Sequence, residues 1–265
     1  MNCEWICATC GVQFPLSLDP PAECPICQDE RQYVGFQGQR WLTPAAFAEG
    51  RRNTFEEKEP GVWAIHTEPS FAIGQHAYFI ETAEGNILWD CVTLLDEATI
   101  RKINDLGGIR HIVVSHPHYY SAMAAWSEAF QAQLWIHAHD REWVVNAPSR
   151  ISYWAGEDLP LSGSFTAHRS GGHFRGYQVG VWNGALFAGD QPQVCMDRRW
   201  VSFLYSYPNM IPFSAATVRR LGDHLAALEF NRIYGAFGRN VPADAKGVVA
   251  RSVDRYLRAL ETDRD

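Results

Sequence analysis

The chain lacks several features that would place it quickly. No apolar run among its 265 residues approaches the roughly 20 needed to span a bilayer, so no membrane partner is expected. The N-terminus has no basic segment followed by an apolar one, so no signal peptide is expected. Positive charge is scarce: 23 Lys and Arg against 30 Asp and Glu leave a net charge of −7, which argues against nucleic acid as a partner. There is no internal repeat and no low-complexity tract. The first 40 residues contain too few large apolar side chains to form a core of their own. The chain is otherwise ordinary for a globular protein, with 46% hydrophobic and 20% charged residues, and it is long enough for one large core plus a small appendage. Aromatic residues make up 13%, enough to fill a core and line a pocket.

Four of the seven cysteines fall in two C-x-x-C pairs, Cys7 with Cys10 and Cys24 with Cys27. Each pair reads as a turn presenting two thiolates, and two such turns make a tetrahedral four-sulfur cage. Without a secretory signal this pattern favours metal over disulfides and points to a reducing, cytoplasmic setting. A bound metal also supplies the staple that so small a unit needs. Geometry alone allows zinc or iron, and zinc is the expectation. The organisation read from these features is a metal-binding unit over 1–40, a helical or irregular connector over 41–60, and one larger domain over 61–265.

A second group of candidate ligands lies in the larger domain. His116 and His118 follow the apolar run Ile112-Val113-Val114, which reads as a buried strand. Two residues apart on extended backbone, both rings could reach one ion. His173 follows Gly171-Gly172, and Asp190 ends Leu186-Phe187-Ala188-Gly189. The remaining pattern alternates. Strands are expected at 76–81 and 86–90, joined at Glu84-Gly85. Asp96 caps a helix running to Leu106, stopped by Gly107-Gly108. A strand at 110–114, a helix near 121–130, a strand at 134–136 and a short helix around 140–146 follow. Strands occupy much of 164–188, with Asn183-Gly184 as a tight turn. Helices are expected over 214–229 and 243–261, flanking a strand at 232–235. Interleaving of this kind makes the class α/β or α+β with layered sheets.

Taken in order, Ser-His116-x-His118 after a strand, Gly-Gly-His173 and Leu-Phe-Ala-Gly-Asp190 resemble the metallo-β-lactamase fold superfamily over about 61–265. Leu88-Trp89-Asp90 resembles that family's early strand ending in an aspartate. The resemblance implies a four-layer αββα sandwich, two sheets face to face with helices outside, and a metal site at one edge between the sheets. The N-terminal unit resembles both zinc ribbons and rubredoxin. The chain also departs from the family pattern. Tyr120 and Ser121 stand where the family usually places the aspartate and histidine of a second metal, and Phe237 stands where it tends to place a last histidine. Neither ring is an ordinary zinc ligand at neutral pH, so a single ion held by His116, His118, His173 and Asp190 is expected.

Three imidazoles with an open position form the usual catalytic zinc arrangement, in which bound water becomes acidic enough to give hydroxide near neutral pH. The reading is therefore a mononuclear metal-dependent hydrolase that attacks an ester, lactone, amide or related bond of a small molecule with metal-bound hydroxide. Asp190 completes the ligand set or holds the attacking water. Tyr119 or Tyr120, with Tyr120 at the vacated second-metal position, is the candidate hydrogen-bond donor to a developing oxyanion. Asp90 is read as a supporting or turn residue, and His137 with His139 as capping and packing groups. The stretch from Asp197 to Pro208 offers a substrate wall with an arginine clamp. Iron at either site is the alternative metal. The alternative functions are a mononuclear iron dioxygenase, resembling the persulfide dioxygenases of this fold, and a non-catalytic metal-binding or sensing protein. A homo-oligomer is left open.

Overall fold

The computed structural model describes residues 2–162 and 164–261. The outer ends of the expected units, residue 1 and residues 262–265, lie outside the described residues. The N-terminal unit is a three-stranded antiparallel sheet of β1 (Cys3–Cys7), β2 (Gln13–Ser17) and β3 (Trp41–Leu42), ordered β2-β1-β3. A single turn of helix, α1 (Pro25–Gln28), carries the second cysteine pair, with Pro25 in its first turn, where a missing N–H costs nothing. A second short helix, α2 (Pro44–Ala48), begins at Thr43, which accepts from the Ala46 backbone N–H.

A seven-stranded sheet follows. Its strands are β4 (Arg52–Glu59), β5 (Val62–Glu68), β6 (Ala77–Ile80), β7 (Ile87–Trp89), β8 (His111–Val113), β9 (Gln133–His137) and β10 (Ile151–Trp154). They lie in the order β10-β9-β8-β7-β6-β5-β4, antiparallel from β4 to β7 and parallel from β7 to β10. The crossovers carry α3 (Glu97–Asp105) and α4 (Met123–Phe130). Asp96 caps α3 by accepting from the Thr99 backbone N–H.

The second sheet begins with β11 (Asp158–Pro160), β12 (Thr166–Arg169), β13 (Gln178–Trp182) and β14 (Ala185–Gly189). Two small antiparallel ribbons come next, β15 (Gln193–Val194) with β16 (Val201–Ser202), and β17 (Leu204–Ser206) with β18 (Ile211–Pro212). After α5 (Ala215–Ala227) the chain returns as β19 (Arg232–Gly235) and β20 (Asn240–Val241), and α6 (Ala245–Glu261) closes it. The sheet order is β11-β12-β13-β14-β19-β20.

The layering follows from the period of two along each strand. Tyr78, Ile80, Ile87, Trp89 and Val113 face the second sheet and pack with Phe165, Ala185, Phe187 and Tyr234. Their neighbours Phe79, Leu88 and Ile112 face the other way and pack with Ile103 of α3 and Trp126 of α4. On β14, Leu186 and Ala188 likewise face α5 and α6, meeting Val218, Leu221 and Val249. Strands buried on both faces read as continuous apolar runs, which is why they are legible as strands. The result is the expected four-layer αββα sandwich. Gly180 permits close approach of its two sheets: a Cβ there would lie 2.7 Å from Phe165 Cζ and 3.0 Å from the Trp89 ring.

Residues 41–60 differ from expectation. Besides the short helix α2, they provide β3 to the N-terminal sheet and all of β4 to the large one, so they are not a mere connector. β4 is an edge strand of sequence RNTFEEKE, mostly exposed or half-buried. Charge on an edge strand blocks sheet-to-sheet association, and it also hides the strand from a search for apolar alternation. The N-terminal unit does not stand on a core of its own either. Cys7, Cys10, Phe14, Ile26 and Cys27 are buried in the same cluster as Ile65, Phe79 and Ile112. Among the described residues, no helix is long and apolar enough to cross a membrane.

Candidate metal centres and the cavity between them

His116, His118, His173 and Asp190 come together from three loops at one edge of the sandwich. All four are buried, and their donor atoms lie within 4.8 Å of one another. His118 Nδ1 is 3.2 Å from His173 Nε2, and Asp190 Oδ2 is 3.3 Å from His116 Nε2 and 3.9 Å from His173 Nε2. Tetrahedral ligands about 2.0–2.1 Å from a zinc ion are separated by about 3.3–3.4 Å. The donors therefore match the cage that such an ion needs. His116 Nε2 has no hydrogen-bond partner in the protein despite its burial, as expected of a ligand atom.

Local structure fixes each ring. His116 is extended, but Pro117–Tyr119 then forms a 3₁₀ turn, so the two imidazoles converge through a turn and not along an extended strand as expected. Pro117 starts that turn with a suitable φ. Ser115 Oγ lies 2.9 Å from His116 Nδ1, and the Ser115 backbone N–H donates to Asp90 Oδ1 at 2.7 Å. Burial pushes the Asp90 carboxyl up to about 8. Asp90 thus supports the loop and stands outside the donor cluster. His173 lies in a loop whose Gly171 and Gly172 have φ of +60° and +93°, conformations that glycine adopts without strain. Gln191 clasps this loop, its Oε1 accepting from the His173 N–H at 3.0 Å and its Nε2 donating to Gly171 O at 2.6 Å.

The electrostatics suit a metal. Burial, then the charge of His116, holds His173 at about 3. Burial likewise lowers His118 and His116, with Asp190 opposing the change at His116. The imidazoles are therefore neutral at neutral pH, the form that binds metal. Burial resists ionisation of Asp190, but His116, His173 and the Tyr119 hydroxyl outweigh it and hold the carboxyl below its ordinary value.

The two tyrosines, either of which was the expected oxyanion donor, are both turned to partners within the protein. Tyr120 gives its hydroxyl to the Asp140 backbone carbonyl at 3.2 Å, within the core and outside the cavity lining, so it does not serve as an oxyanion donor. Tyr119 donates to Asp190 Oδ1 at 2.5 Å. Ser121 accepts from Gln75 at 2.7 Å, and Phe237 lines the cavity. His137 Nδ1 accepts from the His139 N–H, capping a 3₁₀ turn.

The second cluster is Cys7, Cys10, Cys24 and Cys27, all buried and all free of disulfides. Cys7 Sγ lies 3.6 Å from Cys27 Sγ, and Cys10 Sγ 3.7 Å from Cys24 Sγ. Sulfurs about 2.3 Å from a tetrahedral zinc are separated by about 3.8 Å, so this cage also fits an ion. The neighbouring thiols, Cys10 first, hold Cys7 down, whereas burial pushes Cys10 up. Gln39 donates to Cys7 Sγ at 3.2 Å.

A cavity of about 230 Å³ opens beside the histidines. His118, His173, Asp190, Tyr207 and Phe237 form one side, and Thr9, Gln32 and Tyr33 of the N-terminal unit the other. Thr9 sits between the two cysteines of the first pair. These three residues were missed in the sequence, where the unit was read as standing apart. From the segment expected to form a substrate wall, Tyr207 and Pro208 line the cavity, but no arginine joins them, and Arg199 is forked onto Asp197.

Comparison with known proteins agrees with this geometry. The profile of the Metallo-beta-lactamase superfamily matches residues 72–194, which contain all four donors of the histidine cluster. The uncharacterized protein YmaE of Bacillus subtilis (strain 168) is 45% identical over 267 residues, covering 98% of this chain and 97% of YmaE. Among solved structures, the metallo-beta-lactamase FIM-1 from Pseudomonas aeruginosa in its mono-zinc form superimposes with a TM-score of 0.57 at 15% identity, covering 77% of this chain and 95% of that one. A flavo di-iron protein mutant from Thermotoga maritima gives 0.56 at 13% identity, with 77% of this chain and 61% of that one covered. At such identities these structures speak for the fold alone.

Proposed function

The chain belongs to the metallo-beta-lactamase superfamily, and on that premise we propose that it is a mononuclear zinc hydrolase acting on compact, uncharged esters or lactones. The observation that carries the reading is the convergence of three neutral imidazoles and one carboxylate with the separations of a single tetrahedral site. When bound, zinc would supply Lewis acidity and would acidify a water that joins the four protein donors as a fifth ligand. His116 Nε2, His118 Nδ1, His173 Nε2 and Asp190 Oδ2 would hold it. Asp190 acts as a ligand and not as the base, because its other oxygen is taken by the Tyr119 hydroxyl, with Gln193 Nε2 at 3.5 Å. A third imidazole in the cluster favours zinc over the iron reading, which uses two histidines and a carboxylate.

The cavity supports the substrate class. Among the described residues, Asp190 is the only formally charged group of its lining at neutral pH, and no Lys or Arg lines it. Apart from the ion itself, an anionic substrate, a β-lactam with its carboxylate included, would meet no cationic side chain to replace its hydration. The walls from Ile73, Phe237, Pro208 and Tyr33 suit an apolar body. The test is a panel of matched neutral and carboxylate-bearing esters and lactones offered to zinc-loaded protein. Turnover of neutral members, abolished in His116→Ala, is the expected result. A preference for the anionic members would overturn the substrate class, and no turnover across the panel by fully loaded protein would overturn the hydrolase.

A further inference from the structure

The N-terminal unit does more than wall the cavity, because it grips the backbone beneath one of the four donors and reaches a second through a neighbouring turn. Arg31 is nearly buried, with its side chain 11% exposed. Its Nε and Nη2 fork onto the Asp29 carboxylate, and its Nη1 donates to the His173 backbone carbonyl at 3.0 Å. The guanidinium carbon lies 3.8 Å from the centre of the Phe174 ring. Asp29 is the C-cap of α1, two residues after Cys27, so the fork is anchored directly to the four-cysteine cage.

A second line of contacts reaches Asp190. Ser206 Oγ donates to Arg31 O at 3.0 Å, and Asn209 Nδ2 donates to Glu30 O at 2.8 Å and to Gln32 O at 2.9 Å. From the turn joining β17 to β18, Tyr207 then donates its hydroxyl to Asp190 O at 2.7 Å. The His173 loop turns through two successive left-handed glycines. Gln191 fixes one side of it and Arg31 the other.

We propose that Arg31 is a positioning residue through which the four-cysteine unit sets the affinity of the histidine centre for its ion. The proposal rests on the reading that both clusters hold metal. A planar fork can meet Asp29 and the His173 carbonyl together; an ammonium at this place can serve one fully and the other poorly. Groups that orient a metal ligand typically change its affinity by about 10–100-fold when removed.

Cobalt titration of the full chain tests this. Cobalt among thiolates gives intense charge-transfer absorption, whereas cobalt among imidazoles and a carboxylate gives only weaker visible bands, so the two centres are read separately. Arg31→Ala is expected to leave the thiolate signal at one equivalent, to weaken the second cobalt about tenfold or more, and to shift its visible bands. Arg31→Lys should fall between the two. Asn209→Ala, in an exposed turn, should weaken the second cobalt in the same direction but less. Unchanged second-site affinity and spectrum in Arg31→Ala would overturn the proposal. Should that variant not fold, the same null result in Asn209→Ala and Arg31→Lys would overturn it. Wild-type protein that takes cobalt only at the thiolates would instead contradict the second metal centre itself.

Discussion

Tyr119 donates its hydroxyl to Asp190 Oδ1 at 2.5 Å, while Asp190 Oδ2 faces His116 Nε2 at 3.3 Å. The carboxylate is thus divided: one oxygen turns to the imidazoles and the other is held by a phenol. With Tyr120 and Ser121 in place of the usual second-site ligands, this arrangement leaves one ion's worth of donors.

The two neighbouring tyrosines should therefore behave differently. Tyr119→Phe frees Asp190 Oδ1 and is expected to weaken metal binding at the histidine centre by about 10–100-fold. Tyr120→Phe loses only a buried hydrogen bond to Asp140 O, costing about 1 kcal/mol of stability, with metal affinity unchanged. Metal competition titrations and denaturant melts of both variants check the contrast, and equal effects on affinity would contradict it.

Gly172→Ala should cost the histidine centre its ion. A Cβ there would lie 2.5 Å from Gln191 Oε1, at a φ of +93° that strains any other residue by about 1–3 kcal/mol. The clasp that holds the His173 N–H must then move. Metal analysis should find one equivalent, retained at the cysteines.

Acid should destabilise the protein partly through His76, far from either cluster in chemistry. Burial first, then the charge of His66, holds its pKa at about 4, and its ring stacks on His66 at 4.5 Å. Below the ordinary value of 6.5, the unfolded chain binds a proton that the folded chain refuses, so stability falls as pH drops from about 6.5 to about 4. His76→Phe keeps the ring and removes the titration. Its melts should be less acid-sensitive in that window, by on the order of 2 kcal/mol after discounting for partial exposure.

The two parts of the chain should unfold together. Because the cysteine unit shares a buried cluster with Ile65, Phe79 and Ile112, loss of its metal is felt throughout. Cys24→Ser should lower a single calorimetric transition by several degrees, at roughly 2–4 °C for each kcal/mol lost in a domain of this size. A separate early melt of the N-terminal unit would contradict a shared core.

Much of the fold was legible because strands buried on both faces, such as Leu186 to Ala188, read as unbroken apolar runs, and because Asp96 and Gly107 mark helix ends chemically. The donors were legible for the same reason: each follows such a strand or a glycine pair. What was hidden is polar or non-local. β4 lies at an edge and carries charge, so it lacks the alternation of a half-buried strand. Tyr119 and Tyr120 are adjacent, and only the 3₁₀ turn begun at Pro117 decides which phenol meets Asp190. Arg31 and Gln32 look like surface residues of a small unit until that unit packs against a loop some 140 residues away.

The most direct test of the account is the metal stoichiometry of the full chain by native mass spectrometry, in wild type and in His116→Ala. Two ions in the first and one in the second is the predicted result. A single ion in wild type, or two in the variant, would contradict it.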